Sequence, residues 1–539
     1  MATQQSSETT ATPVPKFWLR PTFVTLLALV LIVLSFVAIP LYDAADLDPL
    51  YRGGVVIGSA GALLLGLLGL AYGFVRSELV ARPVLTLLLI VVVGVGGAVA
   101  CIRSVDLTGD LRPVPVFRWQ SDPQAQLQAL PAADASADLP PLDLSVEEGL
   151  DFPRYRGSQA NGVVLQDRIL ANDWQQQPPE VLWRRPCGGG FSGFAVAGNG
   201  LVTLEQRRDQ EVVVCYDRAT GVERWTYAYE AHFRDPTGNG PRATPTIADG
   251  AVFSLGAEGD LVCLEANTGQ KRWHVNILMD CRAKRPTWGV TGSPLVWGDR
   301  VIVHPGIDPA NNAQMAVAAY DVRTGQRLWA KGQHGASYSS PMRATLAGQE
   351  GVLLFDAGGL TLLSPEEGRE YWRHEWKTFQ DMNIIQPLLL DHDKVLLSSE
   401  AANGAALIRV VRDGDTFSTE VIWQNRNLVA KYANPVALGR TIYGLSNGTL
   451  VALDGDTGER LWRGRHYGHG QLLAVNGHLL VLGEQGQLAL VSGDRRSFRE
   501  LARLPVLEGR TWNTPALAAA QLFVRNDKEM VTLRLATLP

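Results

Sequence analysis

A nine-residue phrase and a rhythm of short strands predict an all-β fold, an eight-bladed propeller of four-stranded antiparallel blades preceded by three transmembrane α-helices. The phrase is Asp-x-x-Thr-Gly-x-x-x-Trp, at Asp217 to Trp225, Asp321 to Trp329 and Asp454 to Trp462, with variants at Glu265 to Trp273 and Ser364 to Trp372. A repeat of roughly forty to fifty residues marks stacked supersecondary units. The strands are divided by Gly-bearing turns, and three apolar stretches lie before residue 103.

In chain order, residues 1–22 form a polar N-terminal tail. Residues 23–102 hold the apolar stretches Phe23–Ile39, Gly54–Val75 and Val84–Ile102, each near the roughly 20 residues a spanning helix needs. The first is too long for a signal peptide and has no small-x-small cleavage site after it. Lys16 and Arg20 precede the first span, the next loop carries Asp43, Asp46 and Asp48 against Arg52, and Arg76 and Arg82 flank the second loop. That pattern predicts a cytoplasmic N-terminus in a bacterial inner membrane and a periplasmic chain after Ile102. Gly58, Gly61, Gly66, Gly69 and Gly73 suit close helix packing, within the anchor or between two copies. The expected anchor contacts membrane lipid. Residues 103–151, rich in Pro, Ala and Asp, read as an extended or disordered linker.

Residues 152–539 carry the repeats. One unit reads from Arg242: strand Thr244–Ile247, turn Asp249-Gly250, strand Ala251–Leu255, turn Glu258-Gly259, strand Leu261–Leu264, turn Asn267-Thr268-Gly269, then a fourth strand from Lys271. Four antiparallel strands per unit make a propeller blade. The acidic residue and the Thr of the phrase can bind local backbone in the last turn, and the Gly supplies positive φ. The Trp then lies on the outer strand between blades, its N–H seeking a partner.

Outer-strand tryptophans are Trp225, Trp273, Trp329, Trp372, Trp423 and Trp462. The fifth unit has Asp413-Gly414 in place of Thr-Gly, the seventh starts near Gln471 without a Trp, and the eighth starts at Thr514-Pro515 and ends after three strands. Glu180-Val181-Leu182-Trp183 reads as the orphan outer strand that closes the ring and removes its edges. Eight blades result, or seven if the weak units merge.

Leu450 to Trp462 and the segment Phe152-Pro153-Arg154-Tyr155-Arg156-Gly157 carry a resemblance. The chain from Phe152 onward resembles the PQQ-repeat (quinoprotein alcohol dehydrogenase-like) β-propeller superfamily, nearest in style to its non-catalytic outer-membrane-assembly scaffold branch. The resemblance implies one of two functions. One is a membrane-anchored envelope scaffold whose propeller loops bind envelope proteins and which carries no cofactor. The other is a membrane-bound PQQ-dependent alcohol or sugar dehydrogenase, with PQQ and Ca²⁺, passing electrons to quinone. The chain lacks the adjacent Cys pair of the alcohol enzymes, their long insertions and a haem motif. The sequence favours the scaffold.

Thr244, Ser293, Ser340, Gln386, Asn434 and Thr514 precede the Pro of successive inner strands. With Arg242 they could converge at one channel mouth, as candidates for cofactor binding or as strand-end caps. Family enzymes hold their cofactor in this region, and Arg242 could meet a carboxylate there. Arg282-Ala283-Lys284-Arg285-Pro286-Thr287-Trp288 is a basic inter-blade loop, and His466-x-x-His469 lacks a local third metal ligand. No catalytic or metal residues are named. A net charge of −5 gives no electrostatic case for nucleic acid. Five cysteines form no Cys-x-x-Cys pair: Cys101 is expected in an apolar helix, Cys215 and Cys263 in core strands, and Cys187 and Cys281 could pair.

Overall fold

The computed structural model describes residues 101–119, 139–165, 170–171, 173–400 and 403–537, with scattered positions between 24 and 72 and residue 127. The chain divides into two units, Met1–Val105 with Pro115–Trp119, and Asp106–Val114 with Gln120–Pro539. In the first unit, the described positions between 24 and 31 and between 58 and 72 are helical. There Gly69 meets Ala28, whose Cβ lies 3.0 Å from where a Cβ on Gly69 would sit. Among the described residues no helix is long and apolar enough to cross a membrane. Most of the predicted spans lie outside the described residues.

The second unit is a ring of eight sheets. Blade 1 comprises Ala195–Ala197, Gly200–Arg207, Gln210–Asp217 and Glu223–Glu230. Blade 2 runs from Thr246–Ala248 to Lys271–Asn276, blade 3 from Leu295–Trp297 to Arg327–Lys331, and blade 4 from Met342–Leu346 to Glu370–Glu375. Blade 5 runs from Leu388–Asp391 to Thr416–Asn425, blade 6 from Val436–Leu438 to Arg460–His466, and blade 7 from Gln471–Val475 to Glu500–Pro505. Blade 8 joins Ala516–Ala518, Gln521–Arg525 and Glu529–Arg534 to the distant strand Glu180–Pro186. Trp183 stands opposite Thr532, so the orphan strand closes the ring as predicted, and the seven-blade alternative falls.

Each blade is pressed between two neighbours, so its central strands are buried on both faces; Ala251–Leu255 and His478–Leu482 have no exposed residue. The outer strand keeps an exposed side, as in Arg460–His466, and so does the inner strand Met342–Leu346 of blade 4. The repeated phrase holds the interfaces. In blade 1, Asp217 Oδ1 accepts from the backbone of Ala219 (3.1 Å) and Thr220 (2.9 Å) and from the Thr220 hydroxyl (2.8 Å). The Trp of the preceding blade lies on the Gly of this turn and donates its indole N–H to a turn carbonyl. Trp183 donates to Arg218 O (3.1 Å), Trp225 to Ala266 O (2.9 Å), Trp273 to Val322 O (2.9 Å) and Trp462 to Asp494 O (3.0 Å).

Several expectations are corrected. Ile102 belongs to a strand, and the predicted linker is ordered in two places. Ile102–Leu107 and Pro113–Phe117 form a hairpin. Residues 139–151 lie along blades 1 and 2, with Leu144 N–H donating to Asn267 Oδ1 at 2.9 Å. The second strand, Pro-Val-Pro-Val-Phe, carries two prolines, which demote a strand reading made from sequence alone. Cys101 sits in a turn. Cys187 and Cys281 are both unpaired, Cys187 Sγ donating to Asn526 O (3.4 Å) and Cys281 Sγ contacting Tyr320 OH (3.5 Å). Cys215 and Cys263 lie in buried core strands. Blade 2 begins at Thr246, because Thr244 and Pro245 cross between blades.

Candidate functional site

The channel runs along the innermost strands. Its upper mouth is edged by the loops joining one blade's outer strand to the next blade's inner strand. Just below that mouth, the polar residues before Pro in blades 2 to 6 form a continuous hydrogen-bonded circuit around part of the ring. Gly193 N–H donates to Thr244 Oγ1 (3.1 Å), Thr244 N–H to Ser293 Oγ (2.9 Å) and Ser293 N–H to Ser340 Oγ (2.9 Å). Ser340 N–H donates to Gln386 Oε1 (3.2 Å), and Gln386 N–H to Asn434 Oδ1 (2.6 Å). Each side chain thus answers a backbone N–H of the preceding blade, which a Pro-initiated strand would leave bare.

The structure brings together Thr244, Ser293, Ser340, Gln386 and Asn434. It leaves Thr514 out. Blade 8 uses Asn513 instead, whose Nδ2 donates to Gly190 O (3.1 Å) and Ser192 O (2.9 Å). Blade 7 uses Gln471, whose Nε2 donates to Tyr432 O and Trp512 O, both at 3.1 Å. Neither was singled out in the sequence, because neither precedes a Pro. Arg242 stands above the circuit, donating to Gly240 O and to Gly238 O (2.8 Å). Its guanidinium lies over Phe233 (4.3 Å) and Phe191 (5.4 Å), and burial lowers its pKa to about 10.

Arg242 begins an aromatic and cationic belt around the upper mouth. Phe191 contacts Trp512 (5.2 Å), Trp512 contacts Tyr432 (5.1 Å) and Tyr432 contacts His469 (5.6 Å), with Arg510 over Trp512 at 4.8 Å. The hairpin tip sits in this belt. Gly109 N–H donates to Glu484 Oε1 (2.5 Å), Asp110 Oδ1 meets His469 Nε2 (2.9 Å), and Arg510 Nη1 donates to Leu107 O (3.1 Å). Trp512 Nε1 donates to the same Glu484 oxygen at 3.0 Å. A Cβ on Gly109 would lie 2.4 Å from the His469 ring, so only Gly seats here. His469 is thereby committed, while His466 Nδ1 faces Thr449 Oγ1 at 3.3 Å. In the basic loop, Arg285 pairs with Glu258 (3.3 Å) and Trp288 packs edge-on to Tyr338 (5.4 Å).

Below the circuit the segment after Phe152 lies inside the channel. Phe152 exchanges both backbone bonds with Val196 of blade 1, and Ile247 N–H of blade 2 donates to Pro153 O (2.8 Å). Tyr155 OH accepts from Asn434 Nδ2 (2.8 Å), and the buried Arg156 donates to Pro435 O (2.8 Å). Val163–Val164 then pairs in parallel with Ala474–Val475 of blade 7. Beside this segment lies a cavity of 840 Å³, lined by Arg154, Ser158, Asn161, Trp297 and Arg343 with the inner strands of blades 3 to 5.

A family model described as "Outer membrane protein assembly factor BamB" matches residues 172–276 and 209–464, more than half of the chain. The chain belongs to the PQQ-repeat propeller family. Its PQQ repeats are similar to the outer membrane protein assembly factor BamB of Shewanella oneidensis, 24% identical over 64% of this chain and 76% of that protein. They are similar also to BamB of Burkholderia pseudomallei, 25% identical over 53% of this chain and 71% of that protein. Among solved structures, quinohemoprotein alcohol dehydrogenase from Comamonas testosteroni shares the fold, with a TM-score of 0.51 and 12% identity over 78% of this chain and 85% of that one. Within this PQQ-repeat frame, the hairpin tip went unread in the sequence, and the segment from Phe152 was read as a family phrase but not as a strand in the channel. The hairpin tip's partners lie hundreds of residues away, and no local phrase announces its seat.

Proposed function

We propose that the protein is a non-catalytic scaffold of the bacterial envelope, anchored in the inner membrane by its N-terminal spans and presenting the propeller on the periplasmic side. The kinship with BamB proteins supports an assembly role outside the cytoplasm. The observation that carries the reading is the state of the upper mouth. Its polar circuit is spent on neighbouring blades, and its aromatic belt is filled by the chain's own hairpin tip. Few buried polar atoms stay uncommitted there among the described residues, Arg510 Nε and Asn513 Oδ1 among them, and most of the mouth's polar groups are already bonded within the chain.

Partner contact then falls to the rim loops. Met279 and Phe379, 80% and 65% exposed, sit in the loops after blades 2 and 4. Large apolar side chains held out on ordered loops suit a protein partner. A photo-crosslinking residue at 279 or 379 in the full-length protein, in cells, should give a discrete adduct with one envelope protein. The purified protein given PQQ and Ca²⁺ should show no bound-quinone absorbance and no dye reduction with alcohols or sugars. Quinone binding with turnover would overturn the scaffold in favour of the dehydrogenase.

A further inference from the structure

We propose that the channel below the polar circuit receives an extended acidic peptide, which adds as a strand to the bare inner edge of blade 4 and sets a carboxylate on Arg154.

The first ground is the use of inner edges. An innermost strand bonds its own blade on one side and offers unpaired N–H and C=O groups to the channel on the other, a template for strand addition. The chain covers three of these edges itself, with Phe152 on blade 1, Pro153 on blade 2 and Val163–Val164 on blade 7. No backbone bond from this segment reaches Leu295–Trp297, Met342–Leu346 or Leu388–Asp391 among the described residues. The 840 Å³ cavity lies against those three strands. Its volume falls within the usual range for a ligand pocket and is too small for a folded domain. Blade 4 offers the longest bare run, five residues, or about 17 Å of strand.

The second ground is charge. Arg154 lines the cavity half-buried, and its guanidinium has no hydrogen bond or ion pair among the described residues. Burial and the like charge of Arg343 both lower its pKa, while Glu148, on the cavity wall, raises it. Arg343 already pairs with Glu350 (2.5 Å) and lies over Trp297 (4.5 Å). A half-buried cation without a partner is costly, and a bidentate carboxylate relieves that cost. The Ser158 hydroxyl and Asn161 Nδ2 lie on the same wall, without a protein partner among the described residues, and can hold the peptide's polar groups.

This inference deepens the scaffold reading and rests on it only in taking the ligand to be a protein segment. The test uses full-length protein and fluorescence anisotropy with labelled Val-Glu-Val-Glu-Val-Glu, against the same peptide with Lys for Glu. The Glu peptide should bind saturably and the Lys peptide should not. Arg154→Ala should weaken binding about tenfold or more, with Arg154→Lys intermediate. Arg369→Ala, at an exposed outer turn, should leave binding unchanged. Should Arg154→Ala fail to fold, Arg343→Ala is the second variant, expected to weaken binding a few-fold.

Equal binding of both peptides, or an Arg154→Ala affinity within twofold of wild type, overturns the proposal. Glutarate or glycerol phosphate binding as tightly as the peptide would also overturn it, reducing the cavity to a small-anion site. Rim crosslinks at 279 and 379 that persist while the peptide fails to bind would sink this inference and leave the scaffold standing.

Discussion

The interface between blades 3 and 4 and the one between blades 4 and 5 meet the same packing problem with different chemistry. At the first, Trp329 lies on Gly368 and donates its indole N–H to Pro365 O at 3.1 Å. At the second, Trp372 is 95% buried and its N–H has no partner among the described residues, because blade 5 offers Asp413-Gly414 with nothing near its Gly. Blade 5 compensates with a long hairpin, Gly404–Asp413 and Thr416–Asn425. Phe417 packs against Tyr371 (6.3 Å), Thr419 meets His374 (3.0 Å), and Trp376 donates to Ser399 Oγ (3.0 Å). The phrase is therefore one means of joining blades. Apolar area fills the interface in either case; the phrase adds a satisfied N–H and a fixed register.

Glycine substitutions break the comparison most strongly. At Gly368 φ is +69° and a Cβ would lie 2.6 Å from the Trp329 ring, whereas Gly414 has φ +61° and open space around it. Gly368→Ala should cost about 2–5 kcal/mol, from left-handed strain plus overpacking. Gly414→Ala should cost only the strain, about 1–2 kcal/mol. Urea unfolding of the two variants measures the gap, and equal losses would mean that the Trp does not hold the turn.

A second effect belongs to the interface of blades 1 and 2. It has a docked Trp225 and also the fully buried Glu211, which accepts from Tyr229 OH (2.8 Å) and Ala257 N–H (3.1 Å). Burial raises the Glu211 pKa from its ordinary 4.5 to about 7 despite those bonds. The folded value lies above the unfolded one. The protonated carboxyl's contribution is therefore whole below about pH 4.5 and is lost as pH rises through about 7. Glu211→Gln should remove this fall, a gain of order 3 kcal/mol at pH 8 and little change at pH 4. A stability–pH profile that keeps its slope between those values would refute the assignment.

The smallest effect isolates the indole N–H. Trp329→Phe leaves Pro365 O without its donor and should cost about 1–2 kcal/mol beyond lost area. Trp372→Phe removes an N–H that has no partner and should cost about 1 kcal/mol less than Trp329→Phe. If the two variants melt alike, the hydrogen bond carries no stability.

How much was legible depended on sequence distance. The turn, the Gly and the Trp of each phrase lie within nine residues, so the blade and its docking could be read locally. The polar residues before Pro were visible as a series, and Thr514 misled because the donor in blade 8 is its neighbour Asn513. Trp376, which anchors the unusual blade 5, carries no phrase. Glu484 gathers Gly109, His469 and Trp512 from three separate stretches, which no local pattern could predict.

By itself the sequence determined the repeating blade, the closing strand at Trp183 and the family, because these rest on short-range turn chemistry and period. Only the tertiary structure decided what fills the channel. The hairpin tip at the upper mouth, the segment after Phe152 on the inner edges and Arg154, without a partner among the described residues, all depend on groups brought together by ring closure. Closure sets distances that no run of residues encodes.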